Sequence, residues 1–448
     1  MLQDWCSRSV IRENDIHYTI YNMKKLLLYA MTVAVLTGCS SNDDNENNEV
    51  VNMLPETRGI ELTQEQREFV NKNTDFSFNL FRTISQMPEG QNSSIVSPIS
   101  VTYVMGMLND GAAGNTAKEI TSVLGFGEGD AKAVNEFCKK LIEEAPKTDP
   151  SVTLEMANTV ISNKIKNVMF ESQYETDIKR YYGAEMASLD FSKKTEALKQ
   201  INGWCKKHTD NMIPEILKEE ELAEDALLLL MNAVYFKATW TSKFNPKDTK
   251  KEPFITESGQ KKDLPMMHRK AEILYGENDI CTMLDLPYGS GDMWSMKVLL
   301  PKEGKTVSDV INSLSATTWR GLLSNTKRSI ADIKMPRFST AFETDLVKPL
   351  TVMGAPSMFS SDKAEFPNIS SNIKKGIYVG LMKQKAAVEV NEEGTKAAAV
   401  TVAEMLIKSA GPSDPPMNVD FHANHPFVYV IQEASSGAVF FIGSYRGN

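Results

Sequence analysis

The sequence predicts an α+β protein in a single large domain, and three observations carry that prediction. Helix signals concentrate in the first half of the chain, while continuous apolar runs of strand length fill the second. There is no strict βαβ alternation, which argues against a doubly wound sheet. No Pro/Gly/Ser-rich linker divides the chain after residue 60, and no internal repeat is present.

The first helix has a visible start. Thr63-Gln64-Glu65-Gln66 fits a capping box, Phe69, Phe76, Leu80 and Ile84 follow at helical spacing, and Met87-Pro88-Glu89-Gly90 stops it. A second helical stretch over about 196–209 places Leu198, Ile201, Cys205 and His208 on one face. The runs Leu227 to Phe236, Met296 to Leu300, Phe427 to Ile431 and Ala438 to Ile442 are apolar without alternation, so both faces of each strand should be covered. The last two, joined by Gln432 to Gly437, predict a buried antiparallel hairpin.

With 448 residues, 42% hydrophobic and 24% charged, the composition is that of an ordinary globular protein. The formal net charge of −9 leaves no basic footprint, so no nucleic-acid partner is expected. Beyond Cys6 and Cys39 stand three scattered thiols, Cys138, Cys205 and Cys281, which suit neither a disulfide framework nor a zinc knuckle.

The catalytic patterns are weak. Cys205 and His208 are three apart on a helix, but they share its apolar face with Leu198 and Ile201, so core packing is the better reading. His422 and His425 form an HxxH with no glutamate between them and no third ligand nearby. Gly111-Ala112-Ala113-Gly114 lacks the ending of a phosphate loop, Gly125, Gly127 and Gly129 read as a turn, and no GxSxG elbow exists. No cofactor, no metal and no enzymatic centre are expected.

The N-terminus carries a localisation argument. Met23-Lys24-Lys25 opens a basic region, and Leu26 to Leu36 is apolar but too short to span a bilayer. It ends in Leu36-Thr37-Gly38-Cys39, which resembles the bacterial lipobox. That resemblance implies cleavage before Cys39, its lipidation, and anchoring in the cell envelope at the outer membrane. The acidic, polar stretch from Ser40 to Glu49 reads as a tether and resembles surface-export signals of lipoproteins. The expected organisation is an upstream extension over 1–22 that is not native, a signal peptide over 23–38, the lipidated cysteine and tether over 39–60, and the domain over 61–448.

An ordered series of motifs then accumulates. Asn92 to Ser100, Met107 to Gly125, Leu230 to Trp240, Leu286-Pro287-Tyr288, Met335-Pro336-Arg337-Phe338, Val390 to Thr395 and His425-Pro426-Phe427 resemble the motifs of the serpins, in the family's order, over roughly residues 65–448. Each alone is weak, but the series is specific. The resemblance implies helices on a large central β-sheet with further sheets, an exposed reactive-centre loop, a monomer, and inhibition of serine (and by extension cysteine) proteases.

The segment after Glu392-Glu393-Gly394 can also be read physically. At a period of two, one face is Thr395, Ala397, Ala399, Thr401, Ala403 and Met405, which is uncharged and small at first. The other face, Lys396, Ala398, Val400, Val402, Glu404 and Leu406, carries both charges. Such a stretch can slide into a sheet without burying an unpaired charge, and Gly394 supplies a hinge.

In the family's terms Glu392, Glu393, Gly394, Thr395, Ala397, Ala398 and Ala399 form the hinge. Arg337 would pair with Glu392 at the breach beside Trp240, and Ser97, Ser100, Asn232 and Gln384 would line the shutter where the sheet opens. Gln384 stands where the family often has histidine, which predicts altered stability. Counting from Glu392 places the reactive bond at Lys408-Ser409, a trypsin-like preference, and about fifteen inserted residues would carry an acylated protease on the order of 50 Å. The stretch from Lys408 to Phe421 is longer than usual, so counting back from His425 moves the bond downstream. Met405, Leu406 and Ile407 also offer sites to other proteases. Two rival classes stay open: a non-inhibitory surface protein on the same scaffold that binds a ligand or partner, and a hydrolase or glycan-binding lipoprotein.

Overall fold

Helix α1 (Gln64–Ser85) begins where its capping box places it: the Thr63 hydroxyl accepts from the Gln66 amide, and the Gln66 side chain accepts from the Thr63 amide. It buries Phe76, Leu80 and Ile84. The computed structural model describes residues 56–127, 131–291, 293–395 and 415–447. The expectations for Cys39, Ala397, Ala398, Ala399, Lys408 and Ser409 lie outside these residues.

After α1 the order is β1 (Ser94–Val96), α2 (Pro98–Gly111), α3 (Gly114–Leu124), α4 (Ala131–Glu144), β2 (Val152–Asn163), α5 (Ser172–Tyr182), β3 (Glu185–Leu189), α6 (Lys194–His208) and β4 (Leu228–Thr239). Strands then dominate: β5 (Lys250–Ile255), β6 (Lys261–Glu277), β7 (Cys281–Tyr288) and β8 (Trp294–Pro301). Two short helices, α7 (Val307–Ser313) and α8 (Ala316–Ser324), precede β9 (Lys327–Pro336) and β10 (Phe338–Asp345). Helix α9 (Val347–Met353), β11 (Lys383–Asn391), β12 (Gly394–Thr395), β13 (Met417–His422), β14 (Phe427–Glu433) and β15 (Val439–Tyr445) complete the chain. The architecture is α+β, as the sequence predicts.

Among the described residues the strands form two sheets. The nine-stranded sheet runs β1-β15-β14-β8-β7-β6-β9-β13, with β5 also paired to β6. The six-stranded sheet runs β10-β11-β12-β4-β2-β3. Aromatic side chains join them: Phe338 of β10 meets Phe427, Tyr429 and Tyr445, and Phe236 of β4 meets Trp294 and Phe441. A smaller apolar cluster forms where Ala197 and Ile201 of α6 cover Ile161 of β2, with Leu229 and Met231 of β4 packed against it.

The expected hairpin is present as β14 and β15, antiparallel, with every residue buried. The expectation that Leu227 to Phe236 is covered on both faces needs correction. Leu228 to Asn232 are only half-buried, because β4 meets β12 for two residues and that edge has no further ladder among the described residues.

Candidate functional site

The site lies where β11 and β4 run side by side with only β12 between them. Thr395 pairs with Val390 on one side and Ala238 on the other, and Gly394 with Asn391 and Thr239. Both ladders are antiparallel, so β4 and β11 are parallel to each other. Gly394 has φ +146°, and a Cβ there would lie 2.1 Å from the Ala238 carbonyl oxygen and 2.7 Å from Thr239 Cα. Only glycine fits between these two backbones.

At the top of the gap the residues that the sequence predicts for the breach lie together. The Arg337 guanidinium donates to Glu392 through Nη2 at 2.6 Å and Nε at 3.1 Å, a two-point fork, and Thr249 Oγ1 donates to the same carboxylate at 2.6 Å. Glu392 is buried. Burial alone would raise its pKa, but the hydrogen bonds from Arg337 and Thr249 outweigh it and hold the carboxyl below the ordinary range. Trp240 stacks on Tyr288 with centroids 4.4 Å apart, and its indole donates to the Asn391 carbonyl at 2.9 Å. Tyr288 Oη and Thr395 Oγ1 are 2.6 Å apart, and Lys243 pairs with Glu393. Backbone amides of Trp240 and Phe244 donate to the carbonyls of Glu393 and Glu392. The Glu392-Glu393-Gly394-Thr395 turn is thus held from every side that the described residues supply.

Further down, the predicted shutter residues also converge. Ser100 Oγ donates to Asn232 Oδ1, and Asn232 Nδ2 donates to Asn158 Oδ1 at 2.9 Å and to the Ala157 carbonyl at 3.2 Å. Asn158 continues the chain to the Tyr182 carbonyl at 2.8 Å. The Gln384 amide reads both backbone groups of Ser97, donating to its carbonyl and accepting from its N–H, each at 2.9 Å. Ser97 therefore acts through its backbone, and its buried hydroxyl has no hydrogen-bond partner among the described residues. A cavity of about 80 Å³ separates the strands, with Ser100, Leu230, Asn232, Gln384 and Phe441 among its lining.

The other candidates separate. His208 lies 3.4 Å from Glu185, and burial pushes the Cys205 thiol up to about 11, which disfavours its thiolate. Cys138, Cys205 and Cys281 are buried and free. His425 Nε2 meets the Pro301 carbonyl at 3.1 Å, while His422 turns to Asp332, so the two histidines of the HxxH do not share a site. Sequence reasoning did not single out Thr249, Asn158 or Lys243. Tyr288 stood within a quoted motif, yet its contact with the hinge needs the fold to be seen.

The motif series implies that Arg337 pairs with Glu392 beside a strand-pair gap, and the structure shows this pair, half exposed at Arg337 and buried at Glu392. The family model described as Serpin (serine protease inhibitor) matches residues 71–447. The chain belongs to the serpin family. It is 32% identical over 393 residues to human Serpin B3, covering 83% of this chain and 97% of that protein. Identity to the human leukocyte elastase inhibitor is likewise 32%, over 382 residues with the same coverage. The solved structure of human thyroxine-binding globulin complexed with its ligand superposes with a TM-score of 0.74 at 25% identity, covering 85% of this chain and 98% of that one. Serpins are in general protease inhibitors rather than catalysts, and this serpin belongs to a family with members of both inhibitory and ligand-binding name.

Proposed function

We propose that this serpin is a suicide-substrate inhibitor of serine proteases, trypsin-like enzymes first among them, and that it acts by inserting its own cleaved loop between β4 and β11. One observation carries the proposal: β12 is paired on both edges between those strands, which offer no further ladder to each other among the described residues.

The register gives the proposed inserted state a testable form. Continuing the antiparallel count from Thr395 sets residue 397 against Phe236 and Val388, 399 against Val234 and Ala386, and Thr401 against Asn232 and Gln384. The odd-numbered face would join the buried side of β11, where Gln384, Ala386, Val388 and Val390 already point. That face is Ala, Ala, Thr, Ala, Met after Thr395, so no charge would enter the core. Its one further hydroxyl, on Thr401, would meet the amides of the shutter.

In the proposed reaction the protease serine attacks the Lys408 carbonyl, an ester bond to the protease forms, and the Lys408–Ser409 C–N bond breaks as Ser409 leaves with a protonated amine. A lysine at that position suits a pocket with a buried carboxylate. Insertion then competes with deacylation. Lys408 is thirteen residues past Thr395, so insertion would carry the acylated enzyme about 40 Å or more from the hinge. Anchoring through lipidated Cys39 would place this activity at the bacterial cell surface, and mass analysis of the mature N-terminus tests that separately.

Mixing the protein with trypsin, followed by denaturing electrophoresis and intact-mass analysis, tests the inhibitory reading. The expected outcome is a complex that survives denaturation and a released peptide beginning at Ser409. Cleavage without a complex, with trypsin still active, would reject it for this protease. The second reading, a ligand-binding serpin, rests on the thyroxine-binding relative. It predicts neither complex nor stabilisation after cleavage, and the charge-free hinge face weighs against it.

A further inference from the structure

We propose that Asp332, Asp420 and His422 form a zinc site that clips β13 to β9, with His268 of β6 positioning the Asp332 carboxylate. Ligand atoms from the first three residues lie within 4.8 Å of one another. The parallel ladder sets Asp420 directly beside Asp332, with His422 two residues on, so all three side chains share one face of the sheet. His422 Nε2 is 3.2 Å from Asp332 Oδ2. That contact is a hydrogen bond in this structure, and a zinc ion binding there would take the place of the imidazole proton.

The donor set is one imidazole and two carboxylates, which suits zinc and leaves a fourth position for water. His268 Nε2 lies 2.6 Å from the other oxygen, Asp332 Oδ1. It thereby fixes the orientation of the ligating carboxylate, as outer-shell partners of metal ligands do. Two lysines face the same surface. Lys334 is engaged by Glu252 at 2.7 Å, and Lys270 stands across from Asp332 in β6.

The site has a structural consequence. β13 lies at the sheet edge with β9 as its neighbour, and it is the strand into which the reactive segment returns. Bound zinc ties that strand to β9 through side chains as well as backbone, and stabilises its attachment by mass action.

Isothermal titration of the tag-free full chain with zinc chloride tests the proposal, together with hydrogen exchange of the amides over residues 417–422. The expected result is one zinc per chain and slower exchange of those amides when zinc is bound. His422→Ala and Asp332→Asn should abolish binding, His268→Ala should weaken it about tenfold, and His425→Ala should leave it unchanged. Asp420→Asn changes an exposed residue and keeps the test open if the other variants fail to fold; it too should weaken binding. Absence of zinc binding, equal affinity in His422→Ala, or zinc bound without protection of β13 would each overturn the assignment.

Discussion

Strands β8, β14 and β15 are buried at every residue, and each has a neighbour on both edges. Strands β4 and β11 belong to the six-stranded sheet packed on the same core, yet they are joined by two residues of β12. The difference is not one of composition, since Leu228-Leu229-Leu230-Met231 is as apolar as anything in β14. It lies in the neighbour, which among the described residues extends for two residues. Among the described residues one region has satisfied its backbone hydrogen bonds and its apolar surface, and the other has left part of both open, which the proposed insertion would fill. Among the described residues the molecule therefore combines a finished core with an unfinished sheet, and the proposed function would depend on keeping the second unfinished until cleavage.

The largest effect should come from jamming the unfinished sheet. In the proposed register Thr401 meets Asn232 and Gln384, so Thr401→Arg would bring an unpaired charge into the shutter, at a cost of several kcal/mol. Each 1.4 kcal/mol is a factor of ten. The share of trypsin trapped as covalent complex should fall by about 100-fold or more, while the melting of the uncleaved protein stays unchanged. A normal complex yield from this variant would show that the register is wrong.

Core truncations should separate the two regions next. Ile442 of β15 is fully buried, so Ile442→Ala should cost about 2–5 kcal/mol in chemical denaturation. Leu230 of β4 is half-buried, and Leu230→Ala should cost about 1 kcal/mol in the intact protein. After cleavage and insertion the Leu230→Ala cost should rise toward the Ile442→Ala value, because the same side chain then has a strand against it. Equal costs before and after cleavage would mean that β4 gains no neighbour.

The breach should give a smaller effect with a pH signature. Removing the fork in Arg337→Ala leaves Glu392 buried with Thr249 as its remaining side-chain partner, and Arg337 is itself half exposed, so about 2 kcal/mol is expected. The Glu392 pKa is depressed in the folded state. Its contribution is therefore present above the unfolded value of about 4.3 and is lost as pH falls through the folded value. Melting between pH 5 and 3 should decline more steeply in the wild type than in Glu392→Gln, and parallel curves would remove Glu392 from the account.

Much of this was legible in the sequence, but unevenly. The α1 boundary was readable because a capping box is a local pattern, and β14–β15 because continuous apolar runs report burial on both faces. Arg337, Glu392, Trp240 and Asn232 were found because their motifs carried them, and Gln384 because it stands where the family often has histidine; 55 residues separate Arg337 from Glu392 and 152 separate Asn232 from Gln384. Thr249 follows a short Pro246–Asp248 turn, and Asn158 lies in the middle of β2, so neither has a local pattern that announces its role. The half-burial of Leu228 to Asn232 escaped for a different reason. An apolar run states what a strand could bury, and says nothing of whether its neighbour has arrived. The cluster of His268, Asp332, Asp420 and His422 was hidden by the same logic, since its members meet only when three strands align, whereas the HxxH that looked like a pair diverges.

Gln384→Ala should have the smallest effect on folding and the most informative one on the comparison. The amide holds both backbone groups of Ser97 at the start of α2, so it fastens β11 to the helix beneath the gap. Truncation leaves a buried N–H and C=O without that partner. The adjoining cavity gives water access to them, which limits the cost to about 1 kcal/mol. Loosening this fastening should let β11 part from β4 more readily, so trapping of trypsin should be retained while the uncleaved protein loses inhibitory activity faster on storage at elevated temperature. Faster loss of activity with little change in equilibrium stability would place Gln384 among the residues that keep the sheet unfinished. An unchanged decay rate would mean that Gln384 merely packs.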